Sequence, residues 1–223
     1  MIAAGGMTAL LRLLAWMSPA FPVGAFSYSG GLERAVHDAL LKDATGLQEW
    51  IGILLRRGAL WNDAVLLAEA WRSAGDEDLL GDVSALAQAL AGSAERYRET
   101  VLLGEAFAAA ASAWPHAIFE TLPGSAPYPV AVGAIAAAHD IGLEDTLAAY
   151  LHSGVSQLIS AGIRLGLAGQ RDGVAMIAAL EASIGELAAK AAGSTLDDLG
   201  SATIMADMAS LRHEIQTTRL FRS

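Results

Sequence analysis

Apolar residues in this chain recur three and four positions apart and strand-like alternation is absent, so the regular elements the sequence specifies are helices. Leu10, Leu11, Leu13, Leu14 and Met17 follow Thr8 at that spacing and predict a short capped helix, stopped by Ser18-Pro19. Leu32, Ala35, Val36, Ala39 and Leu40 predict another. TGLQ at 45–48 has the form of a capping box with Thr45 as N-cap, and it opens a long helix whose stripe includes Leu47, Trp50, Ile51, Leu54 and Leu55. Asp76 starts a helix to about Ala91, and Ser93 starts one that runs to the Ala-rich stretch near Ala113. WPHAIFETLPGSAPYP is the main loop. Helices at roughly 130–140, 144–168 and 173–192 follow. GSTLDDLG breaks the pattern, and a last helix from about Ser201 leads into a tail at about 211–223. No internal repeat and no linker divides residues 1–223. The expected architecture is a single-domain, all-α bundle of about eight to ten helices.

Charge and composition narrow the function classes. Hydrophobic residues make up 54% of the chain and Ala is abundant, which suits closely packed helices. The formal charge of -10 argues against nucleic-acid binding, which needs a basic face. The last 23 residues differ: Arg212, Arg219 and Arg222 outnumber Asp207 and Glu214, a locally basic tail on an acidic body. Cysteine is absent, which removes disulfides and thiolate metal sites and fits a cytoplasmic location. No basic residue precedes the first apolar run and Arg12 interrupts it, unlike a secretory signal. The uncharged run between Glu120 and Asp140 contains Pro123, Pro127 and Pro129, and the run between Asp145 and Arg164 contains His152, Gln157 and three serines. Neither suits a membrane span, so a soluble protein is expected.

The usual marks of catalysis are missing. The five histidines (37, 116, 139, 152 and 213) show neither HExxH nor a paired i, i+4 spacing. His213 and Glu214 are adjacent, but neighbours on a helix point in different directions and do not chelate. A single helical His is more often hydrogen-bonded than a metal ligand. No GxxxxGK[ST] is present, so no P-loop is expected. Ser27 and Ser29 lack a surrounding GxSxG and read as turn residues. The sequence therefore predicts no catalytic residue, no cofactor and no metal site.

One segment fits neither a helix nor an idle loop. SPAFPVGAFSYSGGLE, residues 18–33, holds two prolines and three glycines yet carries Phe21, Val23, Phe26, Tyr28 and Leu32. It lies within LLRLLAWMSPAFPVGAFSYSGGLE, which resembles the opening signature of the urease accessory protein F (UreF) family. YPVAVGAIAAAHDIGLEDTLAAYLHSGVSQLISAGIRLGLAGQ and the closing SLRHEIQTTRLFRS agree with the same family in the same order, so the resemblance spans nearly the whole chain. Two positions depart from the usual pattern, Ala25 for the second Gly of PVGG and Gly30 for the Gln before GLE. RLGLAGQ also lacks a proline often found before LGQ.

The resemblance implies a non-catalytic, homodimeric, all-helical protein. Such a protein assembles with the scaffold accessory protein UreD (also called UreH) and the GTPase UreG to help load nickel into apo-urease. An alternative is a strict GTPase-activating protein that uses an arginine finger. Partner-facing roles are implied for Pro22, Gly24, Phe26, Ser27, Tyr28, Gly31, Leu32 and Glu33 in the opening signature, and for Arg164 and Gln170 in the second piece. In the tail they fall on His213, Glu214, Arg219, Leu220, Phe221 and Arg222. The residues leave other readings open. Phe26 and Tyr28 either close the bundle or act as aromatic anchors preset by Pro19 and Pro22. The tail is either solvated or folds onto a partner. Glu33 can pair locally with Arg34, and Arg164 can serve as a buried ion-pair partner.

Overall fold

A computed structural model describes residues 4–223, and the first three positions of the chain lie outside the described residues. Among the described residues there are eleven α-helical segments, two 3-10 turns and no strand. Three N-caps are made by side chains. Asp43 accepts from Gly46 N–H at 2.9 Å, Asp76 from Leu79 N–H at 3.1 Å and Ser93 from Arg96 N–H at 3.1 Å. Asp76 and Ser93 are the caps expected from sequence. The cap of the third helix is Asp43 and not Thr45. The first helix begins at Ala4, ahead of Thr8.

The bundle is built around two helices buried on nearly every side. They are α4 (Ala59–Arg72) and α8 (Tyr128–Ala138), the latter composed almost wholly of small and β-branched apolar residues. Their axes approach closely at Gly133: a Cβ there would stand 2.3 Å from the Leu67 carbonyl oxygen, so only glycine fits. Around this pair pack α3 (Ala44–Arg57), α5 (Glu77–Ala89), α6 (Ala94–Ala111) and the hairpin of α9 (Leu143–Arg164) and α10 (Gln170–Ala192). The main loop contains one further turn of helix, α7 (Ile118–Thr121). Helix α1 (Ala4–Trp16) inserts Leu13 and Trp16 into the core. Trp16 meets Phe107 and Trp114 edge-on, each at 5.8 Å between ring centres.

Two shorter elements frame the site. Helix α2 (Leu32–His37) ends earlier than its apolar spacing predicts, because Ala39 turns into the left-handed region at φ 57°. Helix α11 (Ile204–His213) crosses α2 and leads into the tail. No described helix is long and apolar enough to cross a membrane.

Candidate partner interface

The irregular segment 18–31 is fixed from several sides. Phe21 turns inward against Phe107 at 5.6 Å between ring centres, and Tyr28 is buried. Phe26 faces outward and is 72% exposed, in a 3-10 turn of Ala25–Ser27. The backbone around it is held by α9: Gln157 Nε2 donates to the Ala25 carbonyl at 2.8 Å and Arg164 Nη1 to the Phe26 carbonyl at 2.5 Å. Gly31, at φ 81°, passes so near α11 that a Cβ would stand 2.7 Å from the Ser210 nitrogen. Ala25, where the family resemblance expects glycine, opens the 3-10 turn without needing a positive φ.

The tail runs back along this segment. Arg222 N–H donates to the Ser27 carbonyl at 2.8 Å and Ser29 N–H to the Ser223 backbone oxygen at 2.9 Å. The Ser29 hydroxyl makes a further short bond to that oxygen. Phe221 is buried, with the Arg164 guanidinium 4.2 Å above its ring centre. Arg164 is therefore exposed and bound to a carbonyl and a ring, not a buried ion-pair partner.

Glu33 is the receptor for the tail. Its Oε1 accepts Leu220 N–H at 2.7 Å, and its Oε2 accepts Phe221 N–H at 3.0 Å and lies 3.1 Å from His213 Nε2. Burial alone would raise this carboxyl, but the Leu220, His213 and Phe221 hydrogen bonds outweigh it and hold it below the ordinary glutamate value. It does not pair with Arg34, which takes Asp38 at 2.9 Å. His213 is fully buried, with Nδ1 2.7 Å from Glu95 Oε2. Glu95 Oε1 receives Arg219 Nη1 at 2.5 Å, and the other guanidinium nitrogens donate to the carbonyls of Gln216 and Glu214, each at 2.6 Å. The Glu214 carboxylate accepts Ala94 N–H at 2.7 Å, at the electropositive start of α6.

A second polar layer lies beneath. Arg96 reaches Asp63 at 2.6 Å and Glu99 at 3.2 Å, Tyr150 donates its hydroxyl to Asp63 at 2.9 Å, and Ser223 donates to Glu99 at 2.8 Å. Burial disfavours the Arg96 charge, yet Asp63 and Glu99 overcome this and raise its pKa. Burial itself raises Glu99 and pushes the Tyr150 phenol up. This layer borders a cavity of about 720 Å³ under segment 18–30, walled elsewhere by Trp16, Leu66 and Leu103.

Most residues singled out from sequence thus converge. Segment 26–33, Arg164 and the tail from His213 onward form one cluster. Tyr28, Gly31, Leu32, Glu33, His213 and Phe221 are buried within it, whereas Phe26, Leu220 and Arg222 face out. Pro22 is exposed near Gly24 on the approach to the turn. Gln170 is the exposed first residue of α10 and makes no described hydrogen bond to the cluster. Sequence reasoning missed Glu95, Glu99, Asp63, Arg96 and Gln157. A signal existed for two of them, because Glu95 and Glu99 fall in the same i, i+4 register as Leu103, Phe107 and Ala111, all buried. Among the described residues, no group of three or more His, Asp or Glu side chains is arranged to hold a metal.

Residues 41–181 match the profile of the UreF family. The chain is 68% identical over 223 residues to the urease accessory protein UreF of Agrobacterium fabrum, covering all of both chains. It is 63% identical over 217 residues to UreF of Rhizobium etli, covering 97% of each. Urease accessory protein UreF 1 of Brucella canis is 56% identical over 216 residues, covering 97% of this chain and 95% of the relative.

Proposed function

This chain belongs to the UreF family of urease accessory proteins, and from that membership we propose that it is a non-catalytic chaperone of nickel insertion. In this reading it acts in the cytoplasm as a homodimer. It assembles with the scaffold UreD/UreH and the GTPase UreG, and the complex loads nickel into apo-urease. The observation that carries the reading is the presentation of Phe26. The phenyl ring is 72% exposed and stands on a turn held by Gln157, Arg164 and the docked tail, which sets it apart from the chain's other exposed apolar side chains on helix surfaces and loops. A ring fixed before binding loses little freedom on binding, which is the property of an interface anchor. Phe26→Ala removes no buried contact, so stability should change by less than about 0.5 kcal/mol. Capture of the GTPase by the chain and its scaffold should fall at least tenfold. Capture at the wild-type level by a folded Phe26→Ala protein would remove the anchor role.

The second reading is an arginine finger at Arg219. All three of its guanidinium nitrogens are engaged within the chain, which favours Arg219 as an organiser of the tail. Single-turnover GTP hydrolysis by the partner, with wild type and with Arg219→Ala at saturating concentration, separates the two. A fall of orders of magnitude in the chemical step supports the finger, and loss of binding alone supports the organiser.

A further inference from the structure

His213 is the only fully buried histidine among the described residues, and each ring nitrogen meets a carboxylate: Nδ1 lies 2.7 Å from Glu95 and Nε2 3.1 Å from Glu33. An ionised carboxylate only accepts, so both contacts are hydrogen bonds only when the ring carries a proton on each nitrogen. Both acids are already committed as acceptors. Glu33 takes the backbone N–H groups of Leu220 and Phe221, and Glu95 takes Arg219. With an imidazolium at the centre, Glu33 and Glu95 face His213 and Arg219 and the cluster is neutral. With a neutral ring, a nitrogen lone pair is pressed against a carboxylate oxygen and a negative charge is left unbalanced away from water.

Among the described residues, the charged groups on the helices beside the ring are engaged elsewhere, and Arg222 of the tail faces outward. On α6, Arg96 pairs with Asp63 and Glu99, and Glu99 also accepts from Ser223. On α2, Arg34 and His37 meet Asp38. On the ring's own helix, Arg212 reaches Asp38 while Asp207 accepts from Ser201 and Thr203; Glu214 accepts from Ala94 N–H.

We propose that His213 is a proton-operated latch: the tail 214–223 is docked while the ring carries both protons, and loss of one as pH rises releases it. The coupling runs through a shared atom, because the Glu33 oxygen that faces Nε2 also accepts Phe221 N–H. The latch belongs to this chain alone and holds whichever protein meets the tail, so its test needs no partner.

The test is a nuclear magnetic resonance titration of the full chain from about pH 5 to about pH 9, the interval in which histidines ordinarily change charge. It follows the His213 ring nitrogens and the Leu220, Phe221 and Arg222 amides together. The tail amides should move to disordered positions in the same transition that removes the second ring proton. Over the interval in which the docked ring still holds the second proton and the undocked ring has lost it, the docking equilibrium should fall tenfold per pH unit, the slope for one proton. His213→Gln should dock weakly with no such slope, and His116→Gln should behave as wild type. The latch is overturned if the ring loses its proton while the tail amides stay put, if His213→Gln keeps the slope, or if the ring holds both protons to about pH 9. Should His213→Gln fail to fold by circular dichroism, the wild-type titration decides alone.

Discussion

Glu33→Gln keeps the size of the side chain and removes one acceptor. The carboxylate receives three N–H groups, one on Oε1 and two directed at Oε2. A carboxamide offers one oxygen, so in either orientation its NH2 group faces at least one donor. Turned for the least damage, it keeps Phe221 and His213 and sets two donors against each other at Leu220. Hydrogen bonds to a charged group contribute about 1.5–3 kcal/mol each, and those that survive lose their charge assistance. The expected loss is roughly 2–4 kcal/mol of tail docking, or on the order of 30- to 1,000-fold in the opening equilibrium. It should be local, because the tail belongs to no helix and adds only Phe221 to the core. Hydrogen exchange at one fixed pH should therefore show the Leu220, Phe221 and Arg222 amides losing protection by that factor. Amides of α4 and α8 should keep theirs and helicity should be unchanged. Tail protection within threefold of wild type would refute the receptor role of Glu33. An equal loss in α4 would show the effect to be global.

Other outcomes follow from the same geometry. In Gly133→Ala the new Cβ meets the Leu67 carbonyl oxygen at 2.3 Å and the Trp71 nitrogen at 3.2 Å, backbone atoms that cannot swing aside. Overpacking of this kind costs about 3 kcal/mol or more, so Tm by circular dichroism should fall by roughly 6–12 °C; a fall under about 2 °C would contradict the close approach. Acid should also undock the tail. The carboxyl of Glu33 is held below its ordinary value of 4.5 in the docked form, so its contribution is complete above that value and is lost as pH falls through the docked-state value. Glu99, raised by burial, works in the opposite sense and favours the folded chain as acid is added. Tail-amide protection that rises on acidification below pH 4.5 would show Glu99 to dominate.

The elements legible in the sequence are those whose signals are local. Asp76 and Ser93 cap as expected because the bond from an N-cap side chain to the N–H three residues on is contained in four residues. Asp43 and Thr45 are both competent caps two positions apart, and local chemistry does not rank them. Helix ends were harder to read for a definite reason. Helices α2, α8 and α9 close with the same bond from an N–H to the carbonyl five residues back: Leu40 to Ala35, Ile141 to Ala136 and Leu167 to Gly162. The left-handed residue in each is Ala39 at φ 57°, Asp140 at φ 57° and Gly166 at φ 80°. Only the third carries the glycine that announces such an end, and the spacing ran past the first to Leu40. The site was legible as a set of residues and illegible as an arrangement. Glu33 lies 187 positions from Leu220 and Glu95 lies 118 from His213, so no local pattern joins them. Two of the buried acids were marked only by their register with Leu103 and Phe107.

The tail reads in sequence as an apolar and basic end in search of a partner, yet it is docked on its own body. These descriptions are compatible because the last residues alternate. Leu220 and Arg222 are exposed while Phe221 and Ser223 are buried, the two-sided pattern of an extended segment. Folding uses the inner face and leaves the outer one beside Phe26, since Arg222 is tied to Ser27. A partner can then read Phe26, Leu220 and Arg222 as a single surface without undocking anything. A partner that needs Phe221 must first break its burial, which contributes about 1.5–3 kcal/mol, and the Glu33 bonds as well. The two routes separate by substitution. If the docked face is what a partner binds, Leu220→Ala should weaken capture of the proposed GTPase partner with tail-amide protection intact. Phe221→Ala should then weaken both, by undocking the segment that displays Leu220 and Arg222. If the released tail is what binds, Leu220→Ala should matter little, and Glu33→Gln, which frees the tail without altering it, should raise capture above wild type. An increase with Glu33→Gln would therefore sink the docked-surface reading, and a decrease would sink its rival.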